Sequence, residues 1–378
     1  LVVVLDCGAT NARAIAVTVT GAIAGAAGRP NQPVPQPGGP EHWRIWPLPD
    51  LFDQLCAACR EAVSGLDAQR VRAVTVTTFG ADGAPVAADG SLTYPVISWQ
   101  CPRTEALARR IADYLDPYEL FRITGYQVIP FNTLLKLIWL RENEPGALER
   151  AQCWLMMPGL LSLLLCGERA IDPTAAGTMM AMDMARRDWS PQVLELAGLG
   201  PEFFPRWVEP GQVIGQLSAA AAAACGLPAG IPVVAAGHDT QFALVGSGAR
   251  ADEAVLSSGT WEIALLRQDR YQATRAGFSA GLLIEADAQP GRWNPQLLMM
   301  GSGVLEWVRG RFYGEIADRA AAYPVMIAEA ERQPLGAGGV QVLPSFVPDT
   351  GPTAPYRTAG TILGLGINTE RGQIYRAA

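Results

Sequence analysis

Several features that mark other protein classes are scarce in this sequence. Only 17% of its 378 residues are charged and the formal net charge is −7, so it offers no basic face to a nucleic acid or an anionic membrane. The longest apolar run, residues 154–166, contains Pro158 and Gly159 and falls short of the roughly 20 residues that cross a bilayer. We therefore expect no nucleic-acid partner and no membrane span, and we interpret this run as a buried helix.

Cysteine is too sparse for a disulfide-stapled domain. The seven Cys residues are an odd number without paired spacing, and no signal-peptide pattern precedes the first apolar run. Cys56 and Cys59 form a CxxC, but they lie on the apolar face of a helical pattern without a second pair or a nearby His, which favours packing over metal binding. A reduced compartment fits best, so we expect a cytoplasmic location.

The abundant residues indicate an α/β protein of two lobes. Hydrophobic residues make up 49% of the chain, with 40 Gly and 29 Pro, which is typical of a globular α/β protein with many tight turns. At about 150 residues per domain, the length predicts at least two domains of unequal size. We place the boundary near residues 246–252, where Gly and charged residues cluster.

Hydrophobic periodicity gives a coarse order of elements. Apolar runs rich in β-branched residues predict strands at residues 2–5, 13–19, 71–77, 231–236, 254–256 and 261–266. Helical spacing and stop signals predict helices at residues 51–63, 104–115, 132–142 and 218–225. The stretch 28–49 is rich in Pro and Gly and is interpreted as a loop.

Two strand–turn–strand units stand far apart in the chain. The turn at residues 6–11 leads into a strand and carries neither GxGxxG nor GxxxxGK[ST], which excludes a Rossmann dinucleotide site and a P-loop there. The turn at residues 257–260 has the same character. Backbone amides in such turns bind anions, and Gly permits close approach. One turn alone is more often an ordinary hairpin, but two matching turns favour a cleft that holds one polyphosphate.

Charged residues accompany the first turn. Asp6 is placed to hold a hydrated magnesium ion, because Mg²⁺ binds proteins through few carboxylates. Arg13 can pair with phosphate oxygens.

Asp239 directly follows a buried strand, where ligand crevices of α/β proteins gather functional residues. A kinase needs a carboxylate within reach of the attacking hydroxyl, and Asp239 suits that role. The same residue could instead cap a helix beginning near Gln241. Position alone does not favour either of these two interpretations.

The role of Arg103 is also undecided by the sequence. Arg103 could donate a hydrogen bond to a sugar hydroxyl, or it could be an exposed residue at a helix start.

Two longer motifs resemble a known family. Residues 131–143, FNTLLKLIWLREN, resemble the first signature of the FGGY carbohydrate kinases at every constrained position. Residues 360–365, GTILGL, followed by Gln373 and Ile374, resemble the second. Nearly the whole chain takes part in the resemblance. It implies an α/β, two-lobed actin-like ATPase fold of the ribonuclease H-like type.

The resemblance also implies a division of labour between lobes. Residues 1–247 would form the N-terminal lobe, which binds sugar and phosphate, and residues 248–378 an incomplete C-terminal lobe on the nucleotide side. Family members continue through a Gly-rich adenosine-binding segment, so we expect a second lobe that is truncated at residue 378. We also expect this chain to bind ATP less well than a chain extended through that segment.

Five runs resemble the bacterial members that act on L-fuculose, namely LDCGATNARAIAV, VTTFGADGA, SWQCPRT, AGHDTQFAL and LSSGTWEI. The implied reaction is phosphorylation of the C1 hydroxyl of L-fuculose by Mg-ATP, which gives L-fuculose 1-phosphate in L-fucose catabolism. Asp239 is implied as general base and Asp6 as the magnesium-side carboxylate. Phosphate contacts are implied for Gly8, Thr10, Asn11, Arg13, Ser258, Gly259 and Thr260. Sugar contacts are implied for Asp82, Arg103, His238, Thr240 and Gln241.

Two alternatives stay open at this stage. The HDT and SSGTW runs also resemble L-rhamnulose kinases, and such isomers are separated by hydrogen bonds in the pocket. A non-kinase actin-like ATPase would share the fold. The expected partners are a small-molecule sugar and ATP, and a homo-oligomer is not excluded by the sequence.

Overall fold

The computed structural model describes residues 1–250, 252–259, 261–343 and 360–378. The strands in chain order are β1 (Val2–Cys7), β2 (Asn11–Val17), β3 (Ile23–Pro30), β4 (Val34–Pro35), β5 (Arg44–Trp46), β6 (Ala73–Thr78), β7 (Gly83–Val86), β8 (Val96–Ile97), β9 (Cys153–Met156), β10 (Ala170–Ile171), β11 (Met182–Asp183), β12 (Asp188–Trp189), β13 (Arg206–Trp207), β14 (Val213–Gln216), β15 (Pro232–Val234), β16 (Val255–Ser258), β17 (Trp261–Leu265), β18 (Leu283–Ala286), β19 (Trp293–Met300), β20 (Gln341–Leu343) and β21 (Thr361–Leu363).

The α-helices over the same residues are α1 (Leu48–Ala62), α2 (Glu105–Arg109), α3 (Pro117–Thr124), α4 (Thr133–Asn143), α5 (Pro145–Glu149), α6 (Met157–Cys166), α7 (Pro173–Gly177), α8 (Pro191–Leu194), α9 (Ala219–Cys225), α10 (Asp239–Gly246), α11 (Arg275–Ser279), α12 (Ser302–Phe312), α13 (Arg319–Glu331) and α14 (Arg371–Ala377). Within the described ranges, none of these helices is both long and apolar enough to cross a membrane.

A six-stranded sheet in the order β14-β15-β6-β1-β2-β3 forms the centre of the first lobe. β1, β2 and β3 are antiparallel in succession, whereas β6 is parallel to β1 and β15 is parallel to β6. This order fits the ribonuclease H-like lobe expected from the resemblance. Because β1, β6 and β15 run in parallel, their carboxyl ends meet at one edge of the sheet, where Gly8, Phe79 and Ala235 follow them.

Helices α1 and α6 pack against this sheet and bury its apolar residues. α1 begins after Pro47 and buries Leu51, Leu55, Cys56 and Cys59. This confirms that the CxxC is a packing feature. α9 ends at Gly226, which adopts the left-handed conformation with φ of +69°, as its predicted stop signal requires.

The second lobe has a four-stranded antiparallel sheet in the order β16-β17-β19-β18. Beyond it, α12, α13 and α14 enclose a separate small core around Val308, Tyr313, Met326 and Ile374. The lobes meet where Ile284 of β18 donates its backbone N–H to Gly125, at 2.8 Å. Gly125 has a φ of +73°, and a Cβ there would lie 2.2 Å from the Ile284 carbonyl oxygen. The close approach of the lobes therefore requires glycine at this position.

Three sequence expectations differ from the structure. The run at residues 154–166 starts as a strand, because β9 pairs with β7 before α6 begins at Met157. The stretch 28–49 is not only a loop, since β3 extends into it and β4 and β5 form within it. The helix expected at residues 104–115 is reduced to α2, with a 3-10 turn on each side. β5 and β9 each pair with a strand that is distant in sequence, β8 and β7 respectively, which periodicity does not reveal.

Candidate active site

The first predicted phosphate turn joins β1 to β2, as the sequence pattern predicted. Gly8 donates its N–H to the Asn11 carbonyl at 2.9 Å, and the Asn31 side chain donates to the Gly8 carbonyl at 2.8 Å. A Cβ on Gly8 would lie 3.0 Å from the Asn11 oxygen, so a larger residue there would crowd the turn. Thr10 and Asn11 at its tip are exposed and can reach a ligand.

The two charged residues beside this turn form an ion pair. Asp6 and Arg13 lie opposite each other in the β1–β2 register. Arg13 donates from Nε at 3.0 Å and from Nη2 at 2.5 Å to Asp6 Oδ2. The Arg13 side chain is 56% exposed and that of Asp6 is 12% exposed. Arg13 can therefore swing toward a phosphate, while Asp6 is held in place by its strand.

The second predicted turn joins β16 to β17, again as predicted. Gly259 donates its N–H to the Trp261 carbonyl at 3.0 Å and accepts from Ser302 N–H, the first residue of α12, at 2.9 Å. Ser258 donates its hydroxyl to Glu262 at 2.7 Å. Ser258 and Gly259 are exposed. Thr260 lies outside the described residues.

Asp239 is the first residue of α10, and His238 occupies the N-cap position. The helix therefore begins two residues earlier than the cap interpretation required, and that interpretation is wrong. Asp239 Oδ1 accepts from its neighbour Thr240, from the N–H at 2.7 Å and from the hydroxyl at 3.3 Å, and His238 Nε2 lies 3.5 Å from it. With its side chain 36% exposed, Asp239 keeps a carboxylate edge available for a hydroxyl group.

The backbone before Asp239 is fixed by close packing. Gly237 accepts from Thr78 N–H and from the Thr77 hydroxyl, both at 3.0 Å. A Cβ on Gly237 would lie 2.2 Å from both Asp172 Oδ1 and Thr174 Oγ1. The carboxyl end of β6 therefore determines the position of Asp239, and glycine at position 237 makes that docking possible.

The pKa of Asp239 is raised above its ordinary value. Desolvation of this partly buried carboxyl group is the main cause, and the negative charge of Asp6 adds to it, while His238 acts in the opposite direction. A carboxylate with a raised pKa is a better proton acceptor while it remains ionised. These features suit a general base.

His238 and Gln241 belong to a buried polar cluster that sequence reasoning missed in part. Its further members are Tyr126, Glu285, Asn294 and Gln296. Gln241 is fully buried, donates to Glu285 Oε2 at 2.5 Å and accepts from Asn294. Thr240 is 8% exposed and bonds to Asp239. Nothing in the sequence pattern of β18 singled out Glu285, whose partners are distant in sequence.

Asp82 was expected to face the sugar, but in this structure it has no exposed surface. It pairs with Lys136, which also donates to the carbonyls of Ala81 and Ile97. Its Oδ2 accepts from Trp46 Nε1 at 2.6 Å and from Trp99 N–H at 2.9 Å. Burial raises the pKa of Asp82 and lowers that of Lys136, and their mutual attraction opposes both shifts. Asp82 thus fixes the segment that carries Trp99, and direct contact with the sugar stays a prediction.

Arg103 is held inside an aromatic cage and is 8% exposed. Its guanidinium lies 4.0 Å from the ring centre of Trp43 and 5.0 Å from that of Trp139. It donates to Gln36 Oε1 at 2.6 Å and to the Tyr94 hydroxyl at 3.2 Å. The interpretation as an exposed residue at a helix start is therefore wrong, and its contact with a sugar stays a prediction.

Three aromatic rings from both lobes form a cluster that the sequence analysis did not identify. Trp99 lies 5.9 Å from Phe131 and 6.4 Å from Trp261, and Phe131 lies 6.5 Å from Trp261, between ring centres. All three are partly exposed. Trp261 leaves the second phosphate turn and Trp99 hydrogen-bonds Asp82. Such rings can pack against the apolar face of a small organic substrate.

The residues near the first turn include one candidate ligand for Mg²⁺. Over the described ranges, no group of three or more His, Cys, Asp or Glu side chains could hold a metal. Mg²⁺ commonly uses one or two carboxylates together with waters and substrate phosphates. The largely buried Asp6 beside a tight, exposed Gly-containing turn fits that requirement. The residues present are therefore compatible with a nucleotide-bound Mg²⁺.

Comparison with known proteins gives the family. The model for the N-terminal domain of the FGGY family of carbohydrate kinases matches residues 1–246, and the model for its C-terminal domain matches residues 254–378. The chain belongs to the FGGY family of carbohydrate kinases. It is therefore a sugar kinase, and FGGY kinases use ATP with Mg²⁺ as phosphoryl donor and cofactor.

Individual FGGY relatives support this assignment over the full chain. The chain is 43% identical to L-fuculokinase of Escherichia coli (strain K12), covering 100% of this chain and 77% of that protein. It is 33% identical to L-fuculokinase of Haemophilus influenzae, covering 100% of this chain and 80% of that protein. The solved xylulose kinase from Rhodospirillum rubrum superposes with a TM-score of 0.85 at 23% identity, over 99% of this chain and 75% of that one. The predicted two-lobed actin-like fold is thereby confirmed.

Proposed function

We propose that this FGGY kinase transfers the γ-phosphoryl group of ATP to the C1 hydroxyl of L-fuculose. The observation that carries the proposal is the 43% identity to E. coli L-fuculokinase over the whole chain, supported by 33% identity to the Haemophilus protein of the same name. L-rhamnulose remains the nearest competing substrate, because the HDT and SSGTW runs also resemble L-rhamnulose kinases. A pocket separates such isomers by individual hydrogen bonds. A non-kinase ATPase is excluded by family membership.

In the proposed mechanism, Asp239 accepts the proton of the attacking hydroxyl. Its partly exposed carboxylate and raised pKa support this role. Phosphoryl transfer depends mainly on positioning and on neutralising charge. Mg-ATP supplies the phosphoryl group when bound. Gly8, Thr10 and Asn11 of one turn, with Ser258, Gly259 and Thr260 of the other, would hold the phosphates, Arg13 would pair with their oxygens, and Asp6 would face the metal.

The sugar would bind beside Asp239, on the side of the aromatic cluster. We propose His238, Thr240, Gln241, Arg103 and Asp82 as the residues that shape this region. Trp99, Phe131 and Trp261 would cover the apolar face of the sugar. The lobe boundary would lie at residues 247 and 248. A cytoplasmic location is proposed because all seven cysteines are unpaired.

The test measures phosphorylation of L-fuculose in the parent and in Asp239→Asn. Loss of a general base lowers kcat by about 10²–10⁴-fold, with little change in the KM for ATP. Asp252→Asn is the matched control, because the Asp252 side chain is 78% exposed and Asp252 is not among the residues proposed for the site. Retained activity in Asp239→Asn would show that Asp239 is not the general base.

A second measurement tests the substrate. kcat/KM on a panel of ketoses that includes L-fuculose and L-rhamnulose should be highest for L-fuculose, and the phosphate should lie on C1 by ³¹P–¹H NMR. A higher kcat/KM for L-rhamnulose would replace the proposed substrate and leave the role of Asp239 intact.

A further inference from the structure

Glu285 connects the second lobe to the region of the proposed base. It lies on β18 and is 1% exposed. Three side chains of the first lobe surround its carboxylate. Tyr126 donates its hydroxyl to Oε1, Gln241 donates to Oε2 at 2.5 Å, and His238 Nδ1 lies 2.9 Å from Oε2. Both oxygens are therefore satisfied by residues that do not belong to its own lobe.

The ring of His238 lies between two carboxylates. Its Nδ1 faces Glu285 Oε2 at 2.9 Å, and its Nε2 faces Asp239 Oδ1 at 3.5 Å. Carboxylate oxygens of ionised groups only accept hydrogen bonds, so each ring nitrogen must carry a proton to interact favourably. A histidine with both nitrogens protonated is a cation. The arrangement therefore favours an imidazolium between Glu285 and Asp239.

We propose that Glu285 is a positioning residue for phosphoryl transfer, which holds a positively charged His238 against Asp239 and so orients the carboxylate of the base. The inference rests on the proposed role of Asp239. Glu285 does not touch the reacting atoms. Because it enters from the second lobe, the charge beside the base depends on the contact between lobes.

The surroundings of His238 support this charge state. Burial lowers its pKa, but Glu285, Asp239 and Asp172 outweigh that effect and raise the pKa to about 9. Asp172 caps α7, and Asp6 of β1 acts on Asp239 from the opposite side. The pKa of Glu285 is lowered, because the attraction of His238 and its hydrogen bonds exceed the effect of burial. All acidic neighbours of the ring thus favour the cation.

The sequence allows a direct test without substrate. His42 and His238 are the two histidines of the chain, and His42 is exposed. In a His42→Gln background, the ¹H–¹⁵N NMR signals of the remaining ring report His238 alone. We expect it to titrate near pH 9, well above the ordinary value of about 6.5. A titration near 6.5 in this parent protein would overturn the proposal, whether or not any variant folds.

Glu285→Gln keeps the size of the side chain and removes its charge. The pKa of His238 should fall by about one to three pH units, whereas Tyr126→Phe removes one hydrogen bond to Glu285 and should leave it elevated. In kinetic assays of Glu285→Gln, the alkaline limb of the kcat–pH profile should shift to lower pH, because the pKa of His238 is lower. Glu285→Asp should restore part of that limb.

A purely structural role would reduce kcat by the same factor at every pH. That result, or an unchanged His238 titration in folded Glu285→Gln, would refute the proposal. The outcome is separable from the proposed function, because the NMR titration needs neither sugar nor ATP. A parent protein that phosphorylates another ketose but not L-fuculose, with His238 titrating near pH 9, would refute the substrate assignment only.

Discussion

Lys136 offers a sharp test of how the sugar side of the site is held together. It is the sole lysine of the sequence, 1% exposed, and it contacts the Asp82 carboxylate and the carbonyls of Ala81 and Ile97. Lys136→Met keeps the length of the chain and deletes the charge and all three hydrogen bonds. Ala81 has a φ of +67°, so the carbonyl that Lys136 contacts belongs to a strained backbone position.

The expected cost follows from what the substitution leaves behind. Asp82 would keep the N–H donors of Trp46 and Trp99 but lose its counter-charge at a site without solvent. Breaking a buried ion pair by removing one partner costs about 3–5 kcal/mol. The free energy of unfolding of a domain is about 5–15 kcal/mol, so this single change removes a large share of that free energy. Asp82→Asn in the Lys136→Met background should recover part of the loss, because it removes the uncompensated charge and retains an acceptor for both tryptophans.

Urea unfolding followed by circular dichroism measures these differences. The matched control is Arg110→Met, which removes a cation from the surface pair with Glu142, with side chains 49% and 30% exposed. Such pairs contribute about 0–1 kcal/mol. The reasoning is refuted if Lys136→Met unfolds within about 1 kcal/mol of the parent, or if adding Asp82→Asn lowers stability further.

Three other predictions concern the site itself. Gly237→Ala should lower both stability and kcat, since the new Cβ would lie 2.2 Å from Asp172 Oδ1, whereas Gly246→Ala, where nothing lies within 4 Å, should fold and react like the parent in thermal melts and assays. Trp261→Ala should raise the KM for the sugar more than that for ATP, and equal rises in initial-rate assays would contradict a place beside the sugar. The acid limb of kcat/KM should lie above the ordinary pKa of Asp, because burial raises the pKa of Asp239 and its protonated form cannot accept a proton. A pH–rate profile with a limb at or below about 3.9 would contradict this assignment.

The sequence predicted local features well where local residues determine them. The two hairpins follow from apolar runs interrupted by small polar turns, and the structure confirms both of them. The end of α9 follows from Gly226, because glycine readily adopts the left-handed conformation observed there. The family followed from residues 131–143, and the family model matches confirmed it.

Features that depend on distant partners were not accessible in the same way. The segment that starts at residue 154 has enough hydrophobicity for a helix or a buried strand, and pairing of β9 with β7 decided for the strand. Arg103 could be placed only once the cage of Trp43 and Trp139 was known. Periodicity describes one segment at a time and cannot show which segments meet.

The sequence alone determined which residues follow the buried strands and therefore made Asp239 a candidate base. Only the tertiary structure decided what surrounds it. Glu285 reaches Tyr126 across 159 residues and His238 across 47, and Lys136 reaches Asp82 across 54. Charges so far apart in the chain alter each other's pKa only after folding removes the water between them. The sequence therefore shows which chemical groups the site contains, but the electrostatic interactions between these groups arise only when the two lobes pack together.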